Sequence, residues 1–153
     1  MYQTIESISD SELREEFSNR FTRKTGARLG SARESAEHLR AFLSNHPKDQ
    51  EHFVVVFLDS QNQIIETEVI SSGSLATAAV FPREIVKRLL ALESGAIIAG
   101  HNHPSGETSP SSSDRALTKK LNTALSSIDA QLLDHLILGS GENYLSFSDQ
   151  GLL

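Results

Sequence analysis

An apolar run, Ala96-Ile97-Ile98-Ala99, passes directly into Gly100-His101-Asn102-His103-Pro104, and this junction constrains the fold more than any other stretch. The run reads as a buried strand. If the strand continues through the histidines, His101 and His103 share one face and Asn102 points away, because successive side chains on a strand alternate. Pro104-Ser105-Gly106 then stops the strand and turns the chain. A buried strand that ends in two imidazoles on one side needs a polar partner there, and the downstream sequence offers one.

That partner is Asp114. Counted from the second histidine, the pattern is His-x-His, seven residues, Ser111, two residues, Asp114. Ser109-Pro110 predicts a helix start, with Ser as the N-cap and Pro at the first helical position. Leu117, Leu121, Leu125 and Ile128 follow at helical spacing and define the buried face. Asp114 lies three residues before Leu117 and belongs to that inward side. An inward carboxylate needs a partner, since burying an unpaired charge is costly. Ser111 sits one turn earlier on the same side. Two imidazoles and a carboxylate form a three-ligand set for a divalent metal, most naturally Zn2+, with a fourth position left for water. We therefore expect His101, His103 and Asp114 to be metal ligands.

Composition narrows the setting. The 153 residues suit one domain with a hydrophobic core. The absence of cysteine excludes disulfides, thiol catalysis and Cys-ligated zinc, including the zinc deaminase signature. No apolar run approaches a transmembrane span, and Met1 to Asp10 lacks a secretory pattern, so a cytoplasmic protein without a membrane partner is expected. Net charge is -6, and the densest basic group, Arg20, Arg23, Lys24 and Arg28, reads as a solvated arm rather than a nucleic-acid footprint.

The remaining elements follow from periodicity. Helices are predicted over 9–19, 31–45 and 82–93, the last started by Pro82, buried through Ile85, Leu89 and Leu92, and ended by Gly95. Residues 51–58 and 63–70 read as a hairpin turned at Asp59-Ser60-Gln61-Asn62, with a loop at Ser71 to Ser74. Strands are expected at 132–138 and 143–147. Phe21 to Gly30 lacks a period and reads as a linker, which divides the chain into an N-terminal arm, 1–30, and a domain, 31–153. After the first helix the order is αββαβαββ, which predicts an α/β fold with a mixed β-sheet flanked by helices. His38, His46 and His52 read as surface or helix-end residues.

A metal-activated water needs a nearby group to accept its proton. Glu66 and Glu68 lie two apart on one strand and share a face, and periodicity does not choose between them.

The chain resembles the catalytic domain of the bacterial RadC family, within the wider JAB/MPN (JAMM) metallopeptidase group. The resemblance rests on Glu68-Val69-Ile70 with Gly73-Ser74, Phe81-Pro82-Arg83-Glu84-Ile85-Val86-Lys87, Gly100-His101-Asn102-His103-Pro104-Ser105-Gly106, Pro110-Ser111, Asp114, Thr118, and Leu132-Leu133-Asp134-His135-Leu136-Ile137. Ser74 stands where the family usually has Thr. The resemblance implies a fold distantly similar to cytidine deaminases and a zinc-dependent peptidase or isopeptidase acting on a peptide or protein substrate. It assigns the proton acceptor to Glu68 and a hydrogen bond to the developing oxyanion to Ser111. Asp134 and His135 read first as a structural pair at a strand end, with a place behind the metal ligands as the alternative. Longer members begin with a helical segment akin to DNA-binding modules, and about thirty residues precede the match here. A DNA-repair factor or metal-dependent nuclease acting on nucleic acid is the weaker expectation, because such nucleases favour oxygen-rich magnesium sites. A non-catalytic interaction module would be favoured by loss of the metal ligands, which are all present.

Overall fold

A computed structural model of the chain describes residues 4–73 and 79–153. A short 3-10 turn, Ile5–Ser7, precedes α1 (Asp10–Phe21) and α2 (Ala32–Phe42). Then come β1 (Glu51–Leu58), β2 (Ile64–Gly73), α3 (Pro82–Ala91), β3 (Ala96–Asn102), α4 (Ser112–Ser126), β4 (Gln131–Leu138) and β5 (Tyr144–Ser146). The expected order αββαβαββ and the mixed sheet flanked by helices are both present. The strands lie in the order β2-β1-β3-β4-β5. Among the described strands only β3 and β4 run parallel, and α4 is the crossover that such a pair requires.

The strand β1 is apolar without alternation because both its faces are covered. Val54, Val56 and Leu58 pack with Leu39 of α2, whereas Phe53, Val55 and Phe57 pack with Ile85 and Leu89 of α3 and Leu121 and Leu125 of α4. Gly100 permits the closest approach on the α2 side, since a Cβ there would lie 2.5 Å from a methyl of Leu39.

Several local expectations need correction. The cap of α4 is Ser111, not Ser109, and Pro110 precedes the helix. Ser111 Oγ accepts from Asp114 N at 3.0 Å and Asp114 Oδ2 accepts from Ser111 N at 2.8 Å, a reciprocal capping box that satisfies two otherwise free N–H groups. Ile128 lies past the end of α4 and is exposed. Helix α3 is closed by Glu93 at φ 53°, two residues before Gly95, and Leu92 is only partly buried. The second strand runs on through Ser71 and Ser72 to Gly73, and Ser74 falls outside the described residues. A register shift between Phe53 and Val54 leaves Ile70 unpaired, which breaks the alternation along β2.

The segment read as a linker is tied to the domain. Gly26 N donates to Ile64 O at 2.8 Å, Ile64 N donates to Ala27 O at 2.9 Å, and Leu29 is buried in the core on the α2 side. The basic group is partly neutralised, with Arg20 paired to Glu16 and Arg23 Nη2 lying 3.3 Å from Glu37.

His38 and His52 are buried, not surface residues. His52 bonds Ser72 Oγ and Pro47 O. His38 Nδ1 accepts from Arg23 N at 2.9 Å, so its proton sits on Nε2, facing Thr67 Oγ1. Burial, then the Arg23 charge, lowers the His38 pKa to about 4. A lowered histidine pKa means that the unfolded chain takes up the proton first. Its contribution to stability is complete above the ordinary value of 6.5 and is lost as pH falls toward 4. The loss over that window is roughly 3 kcal/mol. Denaturant unfolding at pH 7 and pH 4.5 should show this slope, and His38→Gln should flatten it. A slope unchanged in the variant would contradict the assignment.

Candidate metal centre

The site forms where β3 leaves the sheet. His101 is paired with Phe53 of β1, and it lies on the face covered by α3 and α4. The chain then turns through Pro104 and Ser105 to Gly106, whose φ of 86° suits glycine. A Cβ at Gly106 would also meet Ser140 Oγ at 2.0 Å. The α4 N-terminus comes back over the strand end and brings Asp114 to both imidazoles. His101 Nε2 is 3.3 Å from Asp114 Oδ1 and His103 Nε2 is 3.2 Å from Asp114 Oδ2. The two Nε2 atoms are 2.9 Å apart. The structure thus brings together His101, His103 and Asp114, the three residues expected as ligands.

It adds Glu51 and leaves Glu68 out. Glu51 begins β1, two residues before Phe53, and its Oε1 lies 3.6 Å from His101 Nε2. One potential ligand atom from each of Glu51, His101, His103 and Asp114 falls within 4.8 Å of the others. Glu68 pairs instead with Val55, opposite the middle of β1, about four residues or 13 Å along the strand from Glu51. There its Oε1 accepts from Arg88 Nε at 2.6 Å. The expectation that Glu68 serves this site is corrected: Glu68 is an ion-pair partner of α3. Glu66 lies opposite Phe57, farther still from the strand end.

Asn102 shows why Glu51 is held where it is. With its side chain on the other face, Asn102 Oδ1 accepts from His52 N at 2.8 Å and Asn102 Nδ2 donates to Gln50 O at 2.9 Å. These are the two peptide groups that flank Glu51. The amide therefore extends the β1–β3 ladder past its last backbone pair and fixes the strand start.

The protons of both imidazoles can be assigned. Thr118 Oγ1 donates its single hydrogen to Asp114 O at 2.7 Å, so it must accept from His135 Nδ1 at 2.6 Å. His135 is fully buried between Phe53 and Phe147, and burial holds its pKa well below the usual histidine range. Neutral His135 therefore offers an Nε2 lone pair, which accepts from His101 Nδ1 at 2.8 Å. The neutral form of His101 then carries its own lone pair on Nε2, facing the cluster. His103 reaches the same state by a shorter route, since its Nδ1 donates to the Glu107 carbonyl at 2.9 Å. Outer hydrogen bonds that fix the tautomer in this way are the usual support for metal-ligating histidines. Asp134 has a separate task. It accepts from His135 N, Ser148 N and Ser146 Oγ, ordering the corner between β4 and β5, and does not touch the cluster.

The charges of the group are mutually dependent. Burial raises the Asp114 pKa, but the two imidazoles that face it outweigh this and hold the carboxyl well below its usual range. The bond to Asp114 raises His103, against the effect of burial. Burial raises Glu51, and the two histidines partly oppose this. Ser111 is exposed at the helix end, and its hydroxyl hydrogen has no acceptor among the described residues.

The arrangement passes a simple test of fit. Tetrahedral ligands about 2.1 Å from a zinc ion stand roughly 3.4 Å apart, close to the separations of the His101, His103 and Asp114 atoms. Thr118→Val keeps shape but breaks the bond that orients His135. It should lower metal affinity by about 10- to 100-fold in a competition titration with a chelating dye. Unchanged affinity would show that the His135 relay does not set the His101 tautomer.

Comparison with known proteins places residues 29–152 in a match to the family model described as a RadC-like JAB domain. Among curated relatives, a UPF0758 protein of Vibrio vulnificus strain YJ016 is 42% identical over 138 residues, covering 89% of this chain and 61% of that protein. A UPF0758 protein of Photobacterium profundum is 45% identical over 126 residues, covering 81% of this chain and 56% of that protein. One from Chromohalobacter salexigens is 43% identical over the same length, with the same coverage. The chain thus spans about 61% or less of the length of these relatives. Their names state no activity.

Proposed function

Because this chain belongs to the RadC-like JAB domain family, we propose that it is a zinc-dependent hydrolase of peptide or isopeptide bonds. The observation that carries the reading is the convergence of two imidazole Nε2 atoms and the Asp114 carboxylate beside a fourth, separate carboxylate, Glu51. His101, His103 and Asp114 hold the ion. The imidazole-rich donor set, with no thiolate, suits zinc better than the oxygen-rich sites of magnesium or calcium. A bound zinc ion would supply Lewis acidity toward the scissile carbonyl and acidify a water molecule.

The protein's own groups do the rest. Glu51 accepts a proton from the attacking water and delivers it to the leaving nitrogen, the role first expected of Glu68. Ser111 donates its free hydroxyl hydrogen to the developing oxyanion, a contact worth roughly 3 kcal/mol for one donor in other enzymes. The capping bond to Asp114 N occupies a lone pair of Ser111 Oγ and leaves its hydrogen available. Asn102 and His135 orient Glu51 and His101, respectively.

Metal analysis of purified protein, followed by incubation with a peptide library, tests the reading. Cleavage that chelation abolishes and zinc restores is expected. Zinc-loaded protein that leaves every peptide and isopeptide intact would contradict it. Among the described residues no helix is long and apolar enough to cross a membrane.

A further inference from the structure

A groove of about 660 Å³ lies on the α2 side of the sheet, opposite the face that carries His101, and meets the cluster at the sheet's end through His103, which forms part of its lining. Leu13 and Phe17 of α1, Leu43 and Pro104 are among its apolar lining. Phe17 is 38% exposed and Leu13 45% exposed, so apolar surface stands open beside the site. Single exposed apolar residues need no explanation, but a concave set rimmed by charge does.

The charge on this groove runs against that of the molecule. The chain carries a net charge of -6, yet the lining includes Arg14, Arg40 and Lys48 and no carboxylate. Arg40 is fixed in the wall, donating to Gly139 O at 3.2 Å and Asn143 O at 3.0 Å. Arg14 and Lys48 have no carboxylate partner among the described ion pairs. Asp49 lines an adjoining recess that shares both cations, which leaves them in excess. A groove lined by apolar side chains together with Arg14, Arg40 and Lys48 complements a chain of the opposite charge.

We propose that this groove binds an extended peptide segment bearing apolar and acidic side chains, and that this segment leads the substrate to the cluster. The proposal rests on the hydrolase reading for its purpose but not for its test. Binding can be measured on chelator-treated Glu51→Gln protein, where no hydrolysis occurs. The probes are a fluorescein-labelled peptide alternating leucine and glutamate and its glutamine and lysine counterparts, followed by fluorescence anisotropy.

The glutamate peptide should bind about tenfold more tightly than the lysine peptide, and the preference should shrink at about 0.5 M salt. The exposed double variant Arg14→Glu, Lys48→Glu should remove or reverse the preference. Phe17→Ser should weaken all three peptides together. Equal binding of the three peptides, or a charge preference intact in the double variant, would overturn the proposal. So would a dimer, seen by sedimentation, that Phe17→Ser dissolves, since a second copy would then fill the groove. Acid-selective binding without any hydrolysis by metal-loaded wild type would sink the hydrolase reading and leave the groove assignment standing.

Discussion

Replacing Glu51 by glutamine should lower hydrolysis of any cleaved peptide by about 10²- to 10⁴-fold while metal content stays at the wild-type level. Glutamine keeps the shape and the strand position but accepts no proton at neutral pH. Glu68→Gln is the informative comparison. It removes an ion pair with Arg88 whose side chain is 44% exposed, so its effect on stability should stay below about 1 kcal/mol. Its effect on turnover should be small, because Glu68 sits near the middle of β1 rather than at its end. A steep loss in Glu68→Gln with near-normal activity in Glu51→Gln would reverse the assignment of the base.

Removing Asp114 should abolish the stabilisation that zinc gives. A ligand that binds only the native state stabilises by about 4 kcal/mol at a thousandfold excess over its Kd, on the order of 10 °C in a domain of this size. Asp114→Ala would lose that shift, but it also deletes the carboxylate that accepts from Ser111 N, and a lost cap costs about 1 kcal/mol by itself. Asp114→Asn separates the two effects. Its amide oxygen can still accept from Ser111 N, whereas an amide is a poor substitute for a carboxylate on zinc. Asp114→Asn keeps the cap but loses the charge that His101 and His103 face, so its metal-free Tm should fall below wild type, and the expected result from calorimetry is at most a small zinc-induced rise above that lower value. An equal rise in wild type and variant would place the binding elsewhere.

What could be read from the sequence followed the local character of each signal. The cluster of His101, His103 and Asp114 was legible because strand alternation and helix spacing put each on a definite face. The elements were legible wherever the apolar pattern was strong, as in the unbroken run of β1 and the helical spacing of α3. Glu51 was missed because its importance depends on a long-range fact. Only the antiparallel pairing of β1 with β3, in the register Phe53 to His101, brings the first residue of β1 to the end of β3. The sequence marks Glu51 only as the polar start of an apolar strand. Glu68 misled because it sits in a family-like run, and nothing local reveals that Val55, not the strand end, lies opposite it. His38 looked like a surface residue because its partners, Arg23 N and Thr67 Oγ1, come from segments fifteen residues before it and twenty-nine after it. The cap of α4 was misplaced by two residues because Ser-Pro is a strong local signal, whereas the Ser111 and Asp114 box uses a side chain assigned to another role.

The central claim is that an ion sits between His101, His103 and Asp114 with Glu51 beside it but not bound to it. Anomalous diffraction at the zinc edge, from crystals of the zinc-loaded protein, tests this most directly. The account predicts one strong peak about 2.0 to 2.2 Å from both Nε2 atoms and from an Asp114 oxygen, with the Glu51 carboxylate outside bonding distance. A peak elsewhere, or an ion held by Glu51 in place of Asp114, would contradict it.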